Sequence, residues 1–125
     1  MLFRSQGPIA VAIGSYAGNS AQGERTVAVG VSAGITSQGN SSIAIGAFAG
    51  NSSQGTYSIA IGSNAGDVSQ ANNSIILHAS SGPLNQTTAN TFTVKPVRNG
   101  GSSGLPAGFY QMAYNPTTGE IVYYT

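Results

Sequence analysis

Hydrophobic residues in this chain come in triplets with alanine at the centre: Val11-Ala12-Ile13, Val27-Ala28-Val29, Ile43-Ala44-Ile45 and Ile59-Ala60-Ile61. Each triplet is left through a glycine, and these glycines, Gly14, Gly30, Gly46 and Gly62, stand 16 residues apart. Alternation with a period of two predicts a strand whose β-branched pair lies on one face and whose alanine lies on the other. The glycine that follows supplies the positive φ of a tight turn. A second short strand is expected in the segment that runs through the next Ala-Gly toward Gln22, Gln38, Gln54 or Gln70. Two strands and two turns then use up one repeat, and a short strict period marks a solenoid in which one repeat is one coil. The expected fold is all-β: a parallel β-roll of 16-residue coils over residues 9–78, with an N-terminal cap at 1–8.

Parallel stacking places each residue about 4.8 Å above its copy, so four coils rise only ~19 Å. The Val/Ile pairs are expected to fill the interior. The column Gln22, Gln38, Gln54, Gln70 and Gln86 either forms a ladder of side-chain amides along the stack or occupies a turn position that tolerates polar residues. The alanines then face outward, where a half-exposed strand ordinarily carries polar groups. A row of small apolar residues suits close approach of another backbone layer. Ala12, Ala28, Ala44 and Ala60, with Ile76 in the fifth copy, are accordingly the expected contacts of a homo-oligomer; the alternative is a monomer with a bland alanine face. In that fifth copy, Ser74-Ile75-Ile76-Leu77-His78, isoleucine replaces the alanine and histidine replaces the turn glycine. The roll is expected to splay or end there, and Pro8 is placed to break the opposite edge.

Beyond the repeats, residues 79–108 read as a transition and a Gly/Ser-rich connector, with a strand at Thr91 to Val94. Residues 109–125 read as a β-hairpin, because Asn115-Pro116-Thr117-Thr118-Gly119 separates two strand-like runs.

Composition narrows the function. Charged residues make up 6% of the chain, namely Arg4, Glu24, Arg25, Asp67, Lys95, Arg98 and Glu120. That leaves no basic patch for nucleic acid and no polybasic anchor, and no apolar run is long enough for membrane insertion as a helix. Cysteine is absent, so neither disulfides nor thiolate metal sites shape the fold. His78 is the only histidine and stands in a turn column, which suits a cap or surface imidazole better than a catalytic base. Asp67 is alone in a column with Asn19, Ile35 and Asn51, unlike the recurring aspartates of calcium-binding rolls. The glycines follow the coil period and no phosphate-loop lysine follows them. No enzyme activity, cofactor or metal is expected.

Two columns vary. One holds Tyr16, Ser32, Phe48 and Asn64, the other Arg25, Ser41, Tyr57 and Asn73. They are either a contact face, with Tyr16, Phe48 and Tyr57 as receptor-contact candidates, or a solvated face free to drift. A regular-lattice binder such as an ice-binding solenoid would want one repeated hydroxyl column, for which Thr26, Ser42, Ser58 and Ser74 are the nearest match.

The recurring SIAIGxxAG at Ser42 to Gly50 and Ser58 to Gly66 resembles the SVAIG head repeat of the YadA-like trimeric autotransporter adhesins, although the repeat here is longer than is common in those heads. The resemblance covers residues 9–78 and implies a left-handed roll with three chains around one axis. TFTVKPVRN, Thr91 to Asn99, and YNPTTGEIVYYT, Tyr114 to Thr125, are similar to a segment in fibre and surface proteins of large DNA viruses and tailed phages, where a self-cleaving chaperone often follows. Together these resemblances imply a homotrimeric, non-enzymatic module of a virion fibre or surface spike. It would sit at the virion surface or in the extracellular space, with other virion proteins and a host-surface glycan or protein as partners. A fragment of a bacterial adhesin head is the alternative.

Overall fold

The structure, a computed structural model, describes residues 6–97, 108, 110–115 and 117–124. Residues 1–5 of the expected cap and 98–107 of the expected connector lie outside the described residues. The described residues form strands and turns without a helix. The triplets are strands β1 (Val11–Ile13), β3 (Val27–Val29), β5 (Ile43–Ile45) and β6 (Ile59–Ile61), continued by β7 (Ile75–His78) and β8 (Phe92–Lys95). They make one parallel six-stranded sheet in chain order. The opposite wall of the coil is shorter, with β2 (Ser20–Gln22) paired in parallel to β4 (Thr36–Gln38) and single bridges from Thr36 to Ser52 and from Ser52 to Val68 above them. Register is strict: Val11, Val27, Ile43, Ile59 and Ile75 stack in one column and Ala12, Ala28, Ala44, Ala60 and Ile76 in the next.

The two faces of the triplet are the reverse of the expected arrangement. Ala28, Ala44, Ala60 and Ile76, expected at an interface between chains, are 0% exposed within the single chain, and Ala12 is half-buried at the open end of the stack. The Val/Ile pairs point outward. The reason is the size of the coil. A three-residue strand closed back on itself after 16 residues offers the interior only its central position. Sheets whose inner faces both carry large side chains stand ~10 Å apart, and this coil has no room for that. Methyl groups fit where β-branched pairs do not: Ala17, Ala33, Ala49 and Ala65 come in from the first turn to meet the strand alanines.

The glutamine column is also interior, and it forms no ladder between coils. The Nε2 groups of Gln22, Gln38, Gln54 and Gln70 reach across their own coils and donate to the carbonyls of Val11, Val27, Ile43 and Ile59 at 3.1, 2.9, 2.8 and 3.0 Å. Each amide braces the two walls of one coil. Alignment of the coils comes instead from backbone bonds such as Ile43 N to Ser58 O and Gly50 N to Ala65 O, both 2.9 Å, and from side-chain contacts such as Asn51 Nδ2 to Asp67 Oδ1 at 3.0 Å.

Gly46 represents its column well. Its φ is 127°, and a Cβ built on it would stand 2.6 Å from the carbonyl oxygen of Gly62 in the next coil. Both the turn and the stacking distance therefore require glycine there. His78 occupies the fifth position of this column without a positive φ, so β7 runs one residue longer than β6 and no tight turn follows.

The sheet does not stop at residue 78. Leu84 bridges to Ala65, Ala71 N donates to Gln86 O at 2.8 Å, and β8 pairs with β7 in parallel. Ile76 is buried in the interior, and partly buried Leu84, bridged to Ala65, packs against this core where the earlier coils have alanine. Farther on, β9 (Gln111–Tyr114) and β10 (Ile121–Tyr124) form an antiparallel pair.

Candidate functional site

The outward surface of the six-stranded sheet is the first feature with interaction chemistry. Each strand contributes two apolar residues: Val11 and Ile13, Val27 and Val29, Ile43 and Ile45, Ile59 and Ile61, Ile75 and Leu77, Phe92 and Val94. Exposure reaches 61% at Ile13, and none of these residues is buried. The face spans five strand spacings, ~24 Å. No charge interrupts it between β1 and the end of β8, where Lys95 stands. At the β8 end, a cleft of about 900 Å³ is lined by Ile75 and Phe92 of the sheet and by Met112, Tyr114 and Ile121 of the antiparallel pair. The sequence reading missed this face because it placed the pairs inside. Phe92 and Val94 continue the same alternation, which extends the apolar face but does not say whether it points in or out.

Corners of the coil form the second feature. Tyr16, Ser32, Phe48 and Asn64 have φ of 59°, 58°, 59° and 56°; Arg25, Ser41, Tyr57 and Asn73 have φ of 57°, 54°, 55° and 53°. This left-handed conformation crowds Cβ against the following carbonyl and costs L-residues roughly 1–2 kcal/mol, less for asparagine, whose side chain bonds locally. Tyr16, Phe48 and Tyr57 are 58%, 43% and 67% exposed. The structure brings Tyr16 and Phe48 into one column two coils apart. Tyr57 lies in the other column, at the opposite end of the triplet strand.

The hydroxyl column does not reach solvent. Thr26, Ser42, Ser58 and Ser74 are buried and donate to the carbonyls of Gly23, Gly39, Gly55 and Ala71 at 3.0, 2.6, 2.6 and 2.7 Å. They close the second turn of each coil and present no hydroxyl array to a lattice, which removes the residues on which the ice-binding reading rested.

His78 is buried rather than at the surface. Its Nδ1 lies 2.8 Å from the carbonyl oxygen of Ser63, which only accepts, so the proton is on Nδ1; Nε2 then accepts from the Ser80 hydroxyl at 2.8 Å. Both nitrogens are engaged in tying the last coil together. The cavity beside it, about 360 Å³, is lined by Ile61, Leu77, Ala79, Val94, Lys95 and Pro96, with no acid among them. Among the described residues, no group of three or more His, Cys, Asp or Glu is placed to hold a metal ion, and no helix is long and apolar enough to cross a membrane.

No protein-family model, curated protein or solved structure matches this chain.

Proposed function

We propose that this chain is a non-enzymatic structural module of a virion fibre or surface spike that supports attachment to a host, and that three copies assemble on the Val/Ile face. The observation that carries the assembly is that face: two apolar residues on each of six strands, none of them buried by the described residues. Contiguous apolar surface of this kind marks a protein contact site. Its regular period means that a second copy meets it rung by rung. The number three, and the virion setting, rest on the resemblance of the SIAIG segments to trimeric adhesin heads and of the tail to viral fibre proteins. A solenoid suits projection because length grows by adding coils without redesigning a core, and three copies on one axis turn weak contacts into avidity.

The test is to look for the protein in purified virions by mass spectrometry and surface labelling. Detection on the particle surface is expected. Absence from particles, with detection on a bacterial surface instead, would replace the viral setting by an adhesin head on the same assembly.

A further inference from the structure

The aromatic corner residues lie outside the triplet strands whose outer face is proposed for assembly. Their columns otherwise hold Ser32, Asn64, Ser41, Asn73 and Arg25, with Ile9 at the start of the second. Tyr16 and Phe48 adopt the same strained φ while leaving much of each ring in water. The turn imposes this φ on every residue of the column, so what sets Tyr16 and Phe48 apart is an exposed aromatic ring held at a fixed corner.

Tyr16 and Phe48 are also held in register. Ser32 N donates to Ser15 O at 2.8 Å, Phe48 N to Val31 O at 2.9 Å and Asn64 N to Ala47 O at 2.9 Å, so the corners stack directly. The backbones of Tyr16 and Phe48 therefore stand two coil rises apart, ~9.6 Å along the axis. Ser32 lies between them and is only 7% exposed, shielded by its larger neighbours. The result is two aromatic side chains separated by a buried serine and followed by partly buried Asn64, whose Nδ2 donates to Ser63 Oγ at 3.3 Å. No charged residue belongs to this column or to the adjoining column of Ser15, Val31, Ala47 and Ser63. Among the described residues, Glu24 and Arg25 are paired with each other at 3.0 Å.

Such a strip has nothing to pair with a carboxylate, sulfate or phosphate, which call for charge-assisted bonds. It offers aromatic faces, rigid contact area with few rotatable bonds, and hydroxyl and amide groups. We infer that Tyr16 and Phe48 bind a neutral glycan lying along the solenoid axis, with sugar rings stacked on the two aromatic side chains and sugar hydroxyls bonded to Asn64 beyond them. This rests on the attachment reading and names its ligand class.

The test uses the full assembled chain and calorimetric titration with chitotetraose and cellotetraose as neutral probes, against sialyllactose and a heparin tetrasaccharide. A neutral probe is expected to bind and the charged ones not. Tyr16→Asn and Phe48→Asn are expected to weaken that binding at least about tenfold while raising the melting temperature by a few degrees, since asparagine relieves the corner strain. Tyr57→Asn should raise the melting temperature and leave binding unchanged. Lack of binding by either neutral probe, or equal binding by the Tyr16 and Phe48 variants, overturns the inference; so does loss of stability in those variants, which makes the rings packing elements. Retention of virions on the cells that propagate them separates the two readings. Retention by this chain with no neutral-probe binding leaves attachment standing without the glycan. Neutral-probe binding without any contribution to retention leaves the glycan site standing without attachment.

Discussion

Ala44 and Ile45 are neighbours on one three-residue strand and face opposite environments. Ala44 is sealed in the coil and Ile45 is exposed on its outer surface. In an ordinary sheet the larger apolar residue goes inside, because burial stabilises by roughly 25 cal/mol per Å² of apolar area. Here volume decides instead. The interior holds one methyl group from the strand, another from the turn and the arm of a glutamine, so the larger residues are displaced to the outer surface. The inner wall makes the coil, and the outer wall is available to make the assembly.

Substitutions that swap the two environments should have unequal effects. Ala44→Leu or Ala60→Leu forces a large side chain into a closed layer and is expected to cost at least the upper end of the ~1–3 kcal/mol typical of overpacking. Loss of the β-rich circular dichroism signal at lower temperature is the readout. Gly46→Ala adds a Cβ 2.6 Å from Gly62 O at a φ of 127° and should cost ~1–3 kcal/mol. Gln38→Leu removes the brace to Val27 O and should cost about 1 kcal/mol, the net worth of a typical hydrogen bond; its Oε1 has no partner, so nothing is lost on that side. Ser15→Val, in an outward column that already holds Val31, should change the melting transition by under ~0.5 kcal/mol. If Ala44→Leu proved as mild as Ser15→Val, the inner wall would not be the tight one.

The period, the strands, their parallel stacking and the turn glycines were legible because a repeat samples each position several times: one alternating triplet is ambiguous, but four in register are not. Which face of the triplet points inward was not legible. Alternation divides residues between two faces without naming the inner one, and hydrophobicity named the wrong one because coil volume is a tertiary property. Gln38 shows the same limit. Its column was visible, whereas its role as a brace depends on the distance between walls. The end of the roll was half legible: His78 and Ile76 announced a change and Gln86 kept its column, but the rejoining of Phe92 to Ile75 follows a loop that otherwise carries no repeat. The corner column of Tyr16 and Phe48 could be seen, while its strain could not, since φ is set by a turn that serine and asparagine would fill more comfortably.

The central claim is that the Val/Ile face is where copies meet. Native mass measurement on the full chain, beside an Ile45→Asp/Ile61→Asp variant, tests it most directly. The wild type is expected at three times the 12.5 kDa chain mass, and the variant at the mass of one chain with its β-rich signal retained, because both substitutions lie outside the coil. A stable wild-type monomer, or a variant that remains assembled, would contradict the account.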